Sequence, residues 1–276
     1  MLNYIYLFLL RRKPFKGQFK LFLWLYNRRM LKSFKLISQP LEGKFKLNLD
    51  TRNYIDASIY YTGDYEYALK MHFKKHISEG MTVIDVGANI GFHTLYFASL
   101  VGPKGKVIAF EPIPDNFESL IQNIKLNRFD QIVPIPNALS NKNEELNIHI
   151  TENLENPGSH NLFEIGEKNA SVVCRKGDDI LAELKTEAVS FIKIDVEGYE
   201  YPVLQGLEKT IKRDKPVIFF EYDRNYQLKT TKNPQDLFLF LQDLGFKFIA
   251  INNFGRIAPF SYSTEVRGAE IIAIPN

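Results

Sequence analysis

The sequence predicts an α/β fold built on a mostly parallel sheet with helices on both faces, and three observations predict it. Apolar strand patterns alternate with helical ones between residues 82 and 250. A glycine-containing turn follows the first of those strands directly and opens into a helix. Carboxylates recur where the strands end, the edge at which such sheets bind ligands. The composition is compatible with this fold. A chain of 276 residues, 45% hydrophobic and 24% charged, buries a core without disulfide or metal staples. It lies outside the collagen-like, disordered and coiled-coil classes. A lone cysteine, Cys174, excludes an internal disulfide framework and a cysteine-rich zinc site. It points to a reducing compartment, so the expected location is the cytoplasm, either free or peripheral at a membrane surface.

Taken in order, the chain begins with a basic arm. Residues 1–46 hold 11 of the 35 Lys and Arg but a single acid, Glu42, so the net charge of +3 conceals +10 on the arm and −7 on the rest. The apolar run that includes Leu2, Ile5, Tyr6, Leu7 and Phe8 is shorter than the roughly 20 residues a bilayer span needs. Its positive charges, Arg11-Arg12-Lys13, follow the run, whereas a secretory signal places them before it. Residues 19–37 read as one helix with Phe19, Phe22, Leu23, Tyr26, Met30, Phe34 and Ile37 on one face. Arg28, Lys32 and Lys35 fall on another face. Such a helix either packs on the domain or lies on an anionic membrane, which makes residues 1–37 a candidate peripheral contact. No nucleic acid is expected, because no basic stripe continues into the domain. The expected division is an arm, 1–46, and a domain, 47–276.

Within the domain, 47–63 suggests short strands and 64–77 a helix. Strands are expected at 82–86, 106–110, 132–135, 189–194 and 216–220, with helices at 92–101, 115–127, 202–212 and 234–244. Prolines near 132–135 favour a marginal place in the sheet. Pro234 and Gly245 bracket the last helix as start and stop signals. Strands at 246–251 and 269–274 have no helix between them, which suggests an antiparallel strand at one edge. The interval 138–188 breaks the rhythm. It offers a strand at 145–151 and a polar stretch with Pro157-Gly158-Ser159-His160, an excursion of the kind that shapes ligand sites.

The turn reads Asp85-Val86-Gly87-Ala88-Asn89-Ile90-Gly91, and Glu111 ends the next strand 20 residues after Gly91. An acid at that place accepts hydrogen bonds from a ribose diol. A dinucleotide turn favours glycine where Asn89 stands, and Asp85 would repel a pyrophosphate. The turn therefore suits a nucleoside cofactor with a positive end, such as S-adenosyl-L-methionine. The competing readings are an NAD-dependent oxidoreductase and an inactive, membrane-associated binding protein on the same scaffold.

Asp85 to Gly91, together with Ile192-Lys193-Ile194-Asp195-Val196-Glu197-Gly198-Tyr199-Glu200, resembles the FkbM family of S-adenosylmethionine-dependent methyltransferases. The likeness runs over residues 62–250. It implies a class I methyltransferase fold with a seven-stranded sheet, and O-methylation of hydroxyls on sugars or natural products, so a small-molecule or glycan acceptor. It also implies that Gly87, Asn89 and Gly91 hold the amino acid end of the cofactor, beside Asp85. By the same likeness Glu111 takes the ribose and Asn137-Ala138 lies near the adenine. Tyr65-Glu66 matches a pair that the family carries upstream, which makes Glu66 a further cofactor candidate.

An acceptor hydroxyl gains from a general base, and the strand-end carboxylates Asp195, Glu197 and Glu221 are the candidates, with His160 on the excursion as a fourth. Glu200 reads as the start of the following helix, and His72, His76 and His93 as surface or packing residues. Asp195 and Glu221 have the oxygen chemistry for magnesium, but no spacing requires a metal and none is expected. Oligomeric state has no signature in the sequence.

Overall fold

A computed structural model of the protein describes residues 2–150, 168–252 and 255–276. Two helices, α1 (Leu2–Leu10) and α2 (Gln18–Asn27), lead to an antiparallel pair, β1 (Lys35–Ser38) with β2 (Leu47–Asp50). Helices α3 (Tyr54–Thr62) and α4 (Tyr67–His76) follow. The alternating part begins with β3 (Thr82–Val86), α5 (Phe92–Val101), β4 (Lys106–Phe110), α6 (Pro114–Asn127) and β5 (Ile132–Ile135). An excursion holds β6 (Ala138–Leu139), β7 (Glu144–Ile150), β8 (Lys168–Arg175) and α7 (Gly177–Glu183). The chain returns through β9 (Phe191–Ile194), α8 (Glu200–Gly206), α9 (Glu208–Asp214), β10 (Val217–Asp223), α10 (Arg224–Thr230) and α11 (Asp236–Asp243). It closes with β11 (Phe246–Ile251), β12 (Ile257–Phe260) and β13 (Gly268–Pro275).

The main sheet has the order β12-β11-β13-β10-β9-β3-β4-β5. Strands β10, β9, β3, β4 and β5 run parallel, and without β12 the sheet is the seven-stranded class I arrangement. Strand alternation sorts its side chains between two cores. Ile84, Val86, Ile192, Ile194, Ile218 and Phe220 share one core with residues of α8 and α11. Val83, Val107, Phe191 and Phe219 share the other with residues of α4 and α5. The chain runs outward from β3 to β5, then crosses back to place β9 beside β3. That reversal leaves a crevice at the carboxyl ends of β3 and β9.

Several expectations need correction. The antiparallel strand β13 is not at an edge; it lies between β10 and β11. Its consecutive Ile271, Ile272 and Ala273 are all buried, as a strand covered on both faces requires. The edge belongs to β12, a largely exposed strand carrying Pro259, and it is the eighth strand. Residues 54–62 form a helix rather than strands. Ala57 and Tyr61, one turn apart, are buried against Leu10, Phe22 and Leu25, so tertiary packing overrides a β-rich composition. The expected helix 202–212 divides at Leu207 into α8 and α9.

The arm is also different in form. Helix α2 ends at Asn27 instead of continuing to residue 37. Met30 N–H donates to Leu25 O, Arg29 N–H donates to Tyr26 O, and Arg29 takes φ 53°, the hydrogen-bond pattern of a Schellman stop. The usual glycine is absent, which hides the stop in the sequence. The boundary at 46 falls inside the β1–β2 pair, and Arg11 donates to Ile59 O and Tyr60 O, so the arm is fastened to the domain.

Candidate active site

A cavity of about 360 Å³ opens in the crevice between β3 and β9. The turn after β3 forms its floor. Gly87 takes φ 81°, and a Cβ there would lie 2.0 Å from Asp195 O, so no other residue fits against the neighbouring strand. Gly87 N–H and Ala88 N–H both donate to Phe110 O at 3.0 Å, which closes the turn over β4. Gly91, at φ 94°, starts α5.

Glu111 clamps this floor. Its Oε2 accepts from Asn89 N–H at 2.7 Å and its Oε1 from Ile113 N–H at 2.9 Å. Burial pushes its pKa up to about 7, against the pull of those two amides. Asn137 and Ala138 line the cavity as expected, beside Val172 and Cys174 from the excursion. His160 lies outside the described residues.

The chemical wall comes from the carboxyl ends of β9 and β10. Asp85 is fully buried; its Oδ2 accepts from Thr94 Oγ1 at 2.6 Å, and its Oδ1 has no hydrogen-bond partner among the described residues. Lys193 Nζ stands 3.7 Å from that Oδ1 and 3.1 Å from Asp195 Oδ2. Burial works against the Lys193 ammonium, but Asp195 and Asp85 outweigh it and hold the pKa above its ordinary value. Sequence reasoning assigned Lys193 no role. Its signal was a charge within the apolar strand Phe191-Ile192-Lys193-Ile194, which a buried position tolerates only when paired.

Glu221 presents its surface to the cavity from β10. It pairs across the sheet with Glu270 of β13, a residue the sequence reading missed because the contact depends on strand order. Like charges placed directly opposite repel. Glu221 is exposed along the cavity, yet desolvation by the protein around it, then Asp195, Glu270 and Glu197, push its pKa up to about 9. Burial, then Glu66 and Asp195, push Glu270 up to about 8, with Lys193 opposing. Glu270 Oε2 is buried without a hydrogen-bond partner among the described residues.

Glu66 and His93 complete the wall. His93 is buried, the packing alternative of its surface-or-packing reading, and its Nε2 lies 2.8 Å from Glu66 Oε2. Glu200 behaves as a helix start: its Oε1 accepts from Gly198 N–H at 3.1 Å, and its other oxygen accepts from Gln227. Glu66, Asn89 and Glu197 line the cavity with φ of 49°, 50° and 52°, a left-handed backbone that side chains disfavour. Strain of this kind collects where a structure over-determines a functional site. The variant Glu197→Gly is expected to melt above Glu197→Ala, because alanine keeps a left-handed penalty of about 1–2 kcal/mol that glycine escapes. Thermal scans of the two variants check it, and equal melting temperatures would show that the turn carries no strain.

A family model, the methyltransferase FkbM domain, matches residues 85–248. The chain belongs to the FkbM methyltransferase family. Its cofactor is S-adenosyl-L-methionine, which removes the nicotinamide reading. The hexuronic acid methyltransferase AglP of Haloferax volcanii is 29% identical over 128 residues, covering 46% of this chain and 50% of that protein. Methyltransferase 1 of Beauveria bassiana is 26% identical over 147 residues, 46% of this chain and 58% of that protein. The chain thus spans about half the length of the curated relatives it matches. The crystal structure of an FkbM methyltransferase from Methylobacillus flagellatus KT is 15% identical with a TM-score of 0.45, covering 79% of this chain and 52% of that one.

The cavity suits this cofactor of the FkbM methyltransferases. Glu66, Asp195, Glu197 and Glu221 face Lys193, which is the only Lys or Arg among the described residues lining it. A surplus of carboxylates favours a ligand carrying an ammonium and a sulfonium. Gly87 and Asn89 line the cavity at the turn, whereas Asp85 is fully buried beneath it and paired with Lys193.

Proposed function

We propose that the protein is an O-methyltransferase acting on a hydroxyl of a sugar or glycan acceptor, with Glu221 as its general base. The observation that carries this reading is the Glu221–Glu270 pair, which sets a proton-accepting carboxylate on the cavity wall. A hydroxyl is a poor nucleophile at neutral pH, and a carboxylate within reach that binds a proton tightly assists its attack. AglP, named for a hexuronic acid, supports a sugar acceptor.

Gly87 and Asn89 would hold the amino acid end of S-adenosyl-L-methionine, and Glu111 its ribose. Gly91, packed against Leu120, and the buried Asp85 do not line the cavity and support the turn from behind. When bound, the cofactor supplies an electrophilic methyl group on a sulfonium. The chain's residues do the remainder. The wall positions the acceptor oxygen, and alignment is the larger share of catalysis in such a displacement. Glu221 holds the proton that the hydroxyl gives up. Asp195 stays fixed in place by Lys193, whose Nζ donates to its Oδ2.

Incubation with S-adenosyl-L-methionine and a panel of hexuronic acids, hexoses and glycans, read by mass spectrometry and NMR, tests the reading. An O-methyl product lost in Glu221→Gln supports it. Methylation at nitrogen or carbon, or no product from any hydroxyl acceptor, would overturn it.

Glu111 carries its own expected result. Each carboxylate oxygen holding one amide keeps acceptor capacity for a ribose hydroxyl. Hydrogen bonds to a charged group contribute about 1.5–3 kcal/mol each, so Glu111→Ala should weaken S-adenosylhomocysteine binding at least about tenfold. It should also lower the melting temperature, since two amides lose their acceptor. Calorimetric titration reads the first effect separately; unchanged affinity with a lowered melting temperature would reduce Glu111 to a clamp on the turn.

A further inference from the structure

Helices α1 and α2 turn large apolar side chains away from the fold. On α1, Tyr4 and Phe8 lie one turn apart and are 79% and 80% exposed. On α2, Phe19 and Trp24 are 53% and 47% exposed. Leu10, Phe22 and Leu25 are the residues buried against Ala57 and Tyr61 of α3, so the core of this contact closes without Tyr4, Phe8 and Trp24. Exposed apolar residues scattered singly are ordinary, but a set carried by neighbouring helices marks a docking surface.

The charges around this set are of one sign. Arg12, Lys13, Lys16, Lys20, Arg28 and Arg29 are exposed, and no acid precedes Glu42. Arg12 lies over the Phe15 ring at 5.1 Å and Arg28 over the Trp24 ring at 4.9 Å, so cation and aromatic surface are presented together. Lys20 and Trp24, one turn apart on α2, repeat the combination. A nucleic acid matches the charge and leaves Tyr4, Phe8 and Phe19 without apolar cover. A hydrophobic protein groove matches the rings and leaves the cations without counter-charge. An anionic lipid surface answers both, with acyl chains for the rings and headgroups for the cations.

We propose that the outward face of α1 and α2 docks the protein on an anionic lipid surface. No helix among the described residues is long and apolar enough to cross a membrane, so the contact is peripheral. Arg11, which donates to main-chain carbonyls of α3, and Gln18, which donates to Leu10 O, hold the two helices in place for docking. The Tyr54 ring stacks edge-on with Phe19 at 6.5 Å and also lines the cavity, so the docked helix and the active site share a wall.

Flotation of the full chain with phosphatidylcholine vesicles, with and without phosphatidylserine, tests this. Binding is expected with phosphatidylserine, and it should weaken with salt as charges are screened beyond about 8 Å at physiological ionic strength. A double variant, Phe8→Ser with Trp24→Ser, and a triple variant, Lys13→Glu, Lys16→Glu and Lys20→Glu, should each lower vesicle partitioning at least about tenfold. The melting temperature of the charge-reversal variant should match the parent, because Lys13, Lys16 and Lys20 are exposed. Absence of flotation with phosphatidylserine at low salt would overturn the proposal. So would equal binding to both vesicles with indifference to the charge reversals. A dimer that disappears in the double variant, or retention on a single-stranded oligonucleotide, in either case without flotation, would assign the face to another occupant and overturn it too.

Discussion

Replacing Glu221 by glutamine is expected to lower turnover by about 10²–10⁴-fold, the usual cost of a lost general base, while S-adenosylhomocysteine still binds. The substitution keeps shape and removes the carboxylate of the wall whose proton affinity is raised furthest, by desolvation first and by its acidic neighbours after it. Those neighbours make a second, sharper expectation. Desolvation together with Asp195, Glu270, Glu197 and Glu66 disfavours the Glu221 charge, so the acid limb of kcat/KM should follow a coupled titration of the group. In Glu270→Gln one negative charge is gone, ionisation of Glu221 becomes easier, and the limb should move to lower pH with little loss of maximal rate. Cation binding in the cavity favours the ionised form, so the limb in turnover lies below the value of about 9 for the free protein. Stability carries the opposite reading of the same groups. Because Glu270 titrates at about 8 when folded, above the ordinary carboxylate value, its protonated form favours the fold, and the exposed Glu221 adds a smaller, solvent-screened share in the same direction. That contribution is present below pH about 4.5 and lost as pH rises through the folded values, so the free protein should melt lower at pH 9 than at pH 6 on their account. Glu270→Gln should flatten this dependence. Full turnover in Glu221→Gln, with an unmoved pH profile in Glu270→Gln, would transfer the base to Glu197 or Asp195.

The contrast between Glu221 and Glu270 shows where sequence reading stops. Glu221 was legible because it ends an apolar strand, a local pattern, and strand ends are where this class of sheet binds ligands. Glu270 was not, because its place opposite Glu221 follows from β13 inserting between β10 and β11, a pairing over about fifty residues of chain that periodicity does not encode. The turn from Asp85 to Gly91 and the strands at 82–86 and 106–110 were readable for the same local reason. Where a local signal was missing, the reading failed. Arg29 ends α2 in a left-handed conformation that glycine usually announces, so periodicity alone extends the helix ten residues too far. Helix α10 went unseen although its cap is local: Asp223 accepts from Asn225 N–H at 2.7 Å and Tyr226 N–H at 3.0 Å. His93 looked like packing because its partner Glu66 lies 27 residues away on a separate element.

Lys193→Met is expected to cost about 3–5 kcal/mol of stability, the usual result of removing one partner from a buried ion pair. Methionine fills nearly the same volume, so the loss is electrostatic rather than a cavity. Lys193 is 2% exposed and stands between two carboxylates, Asp85 and Asp195. Without the ammonium, Asp85 keeps Thr94 alone as a donor, and its charge is left buried with little compensation. Adding Asp85→Asn removes the stranded charge, so the double variant should recover part of the loss measured by urea unfolding. A cavity defect would gain nothing from that second change, which separates the two explanations. The variant should also change what the site prefers to bind. S-adenosyl-L-methionine and S-adenosylhomocysteine share their amino acid, ribose and adenine and differ in the methyl and the positive charge on sulfur. Removing a positive side chain from the wall favours the charged one. The ratio of their affinities should therefore shift toward S-adenosyl-L-methionine in Lys193→Met, even though the protein is less stable. A ratio unchanged by the substitution would show that Lys193 serves the fold alone, as the neutraliser of Asp85 and Asp195, and takes no part in selecting the cofactor's charge.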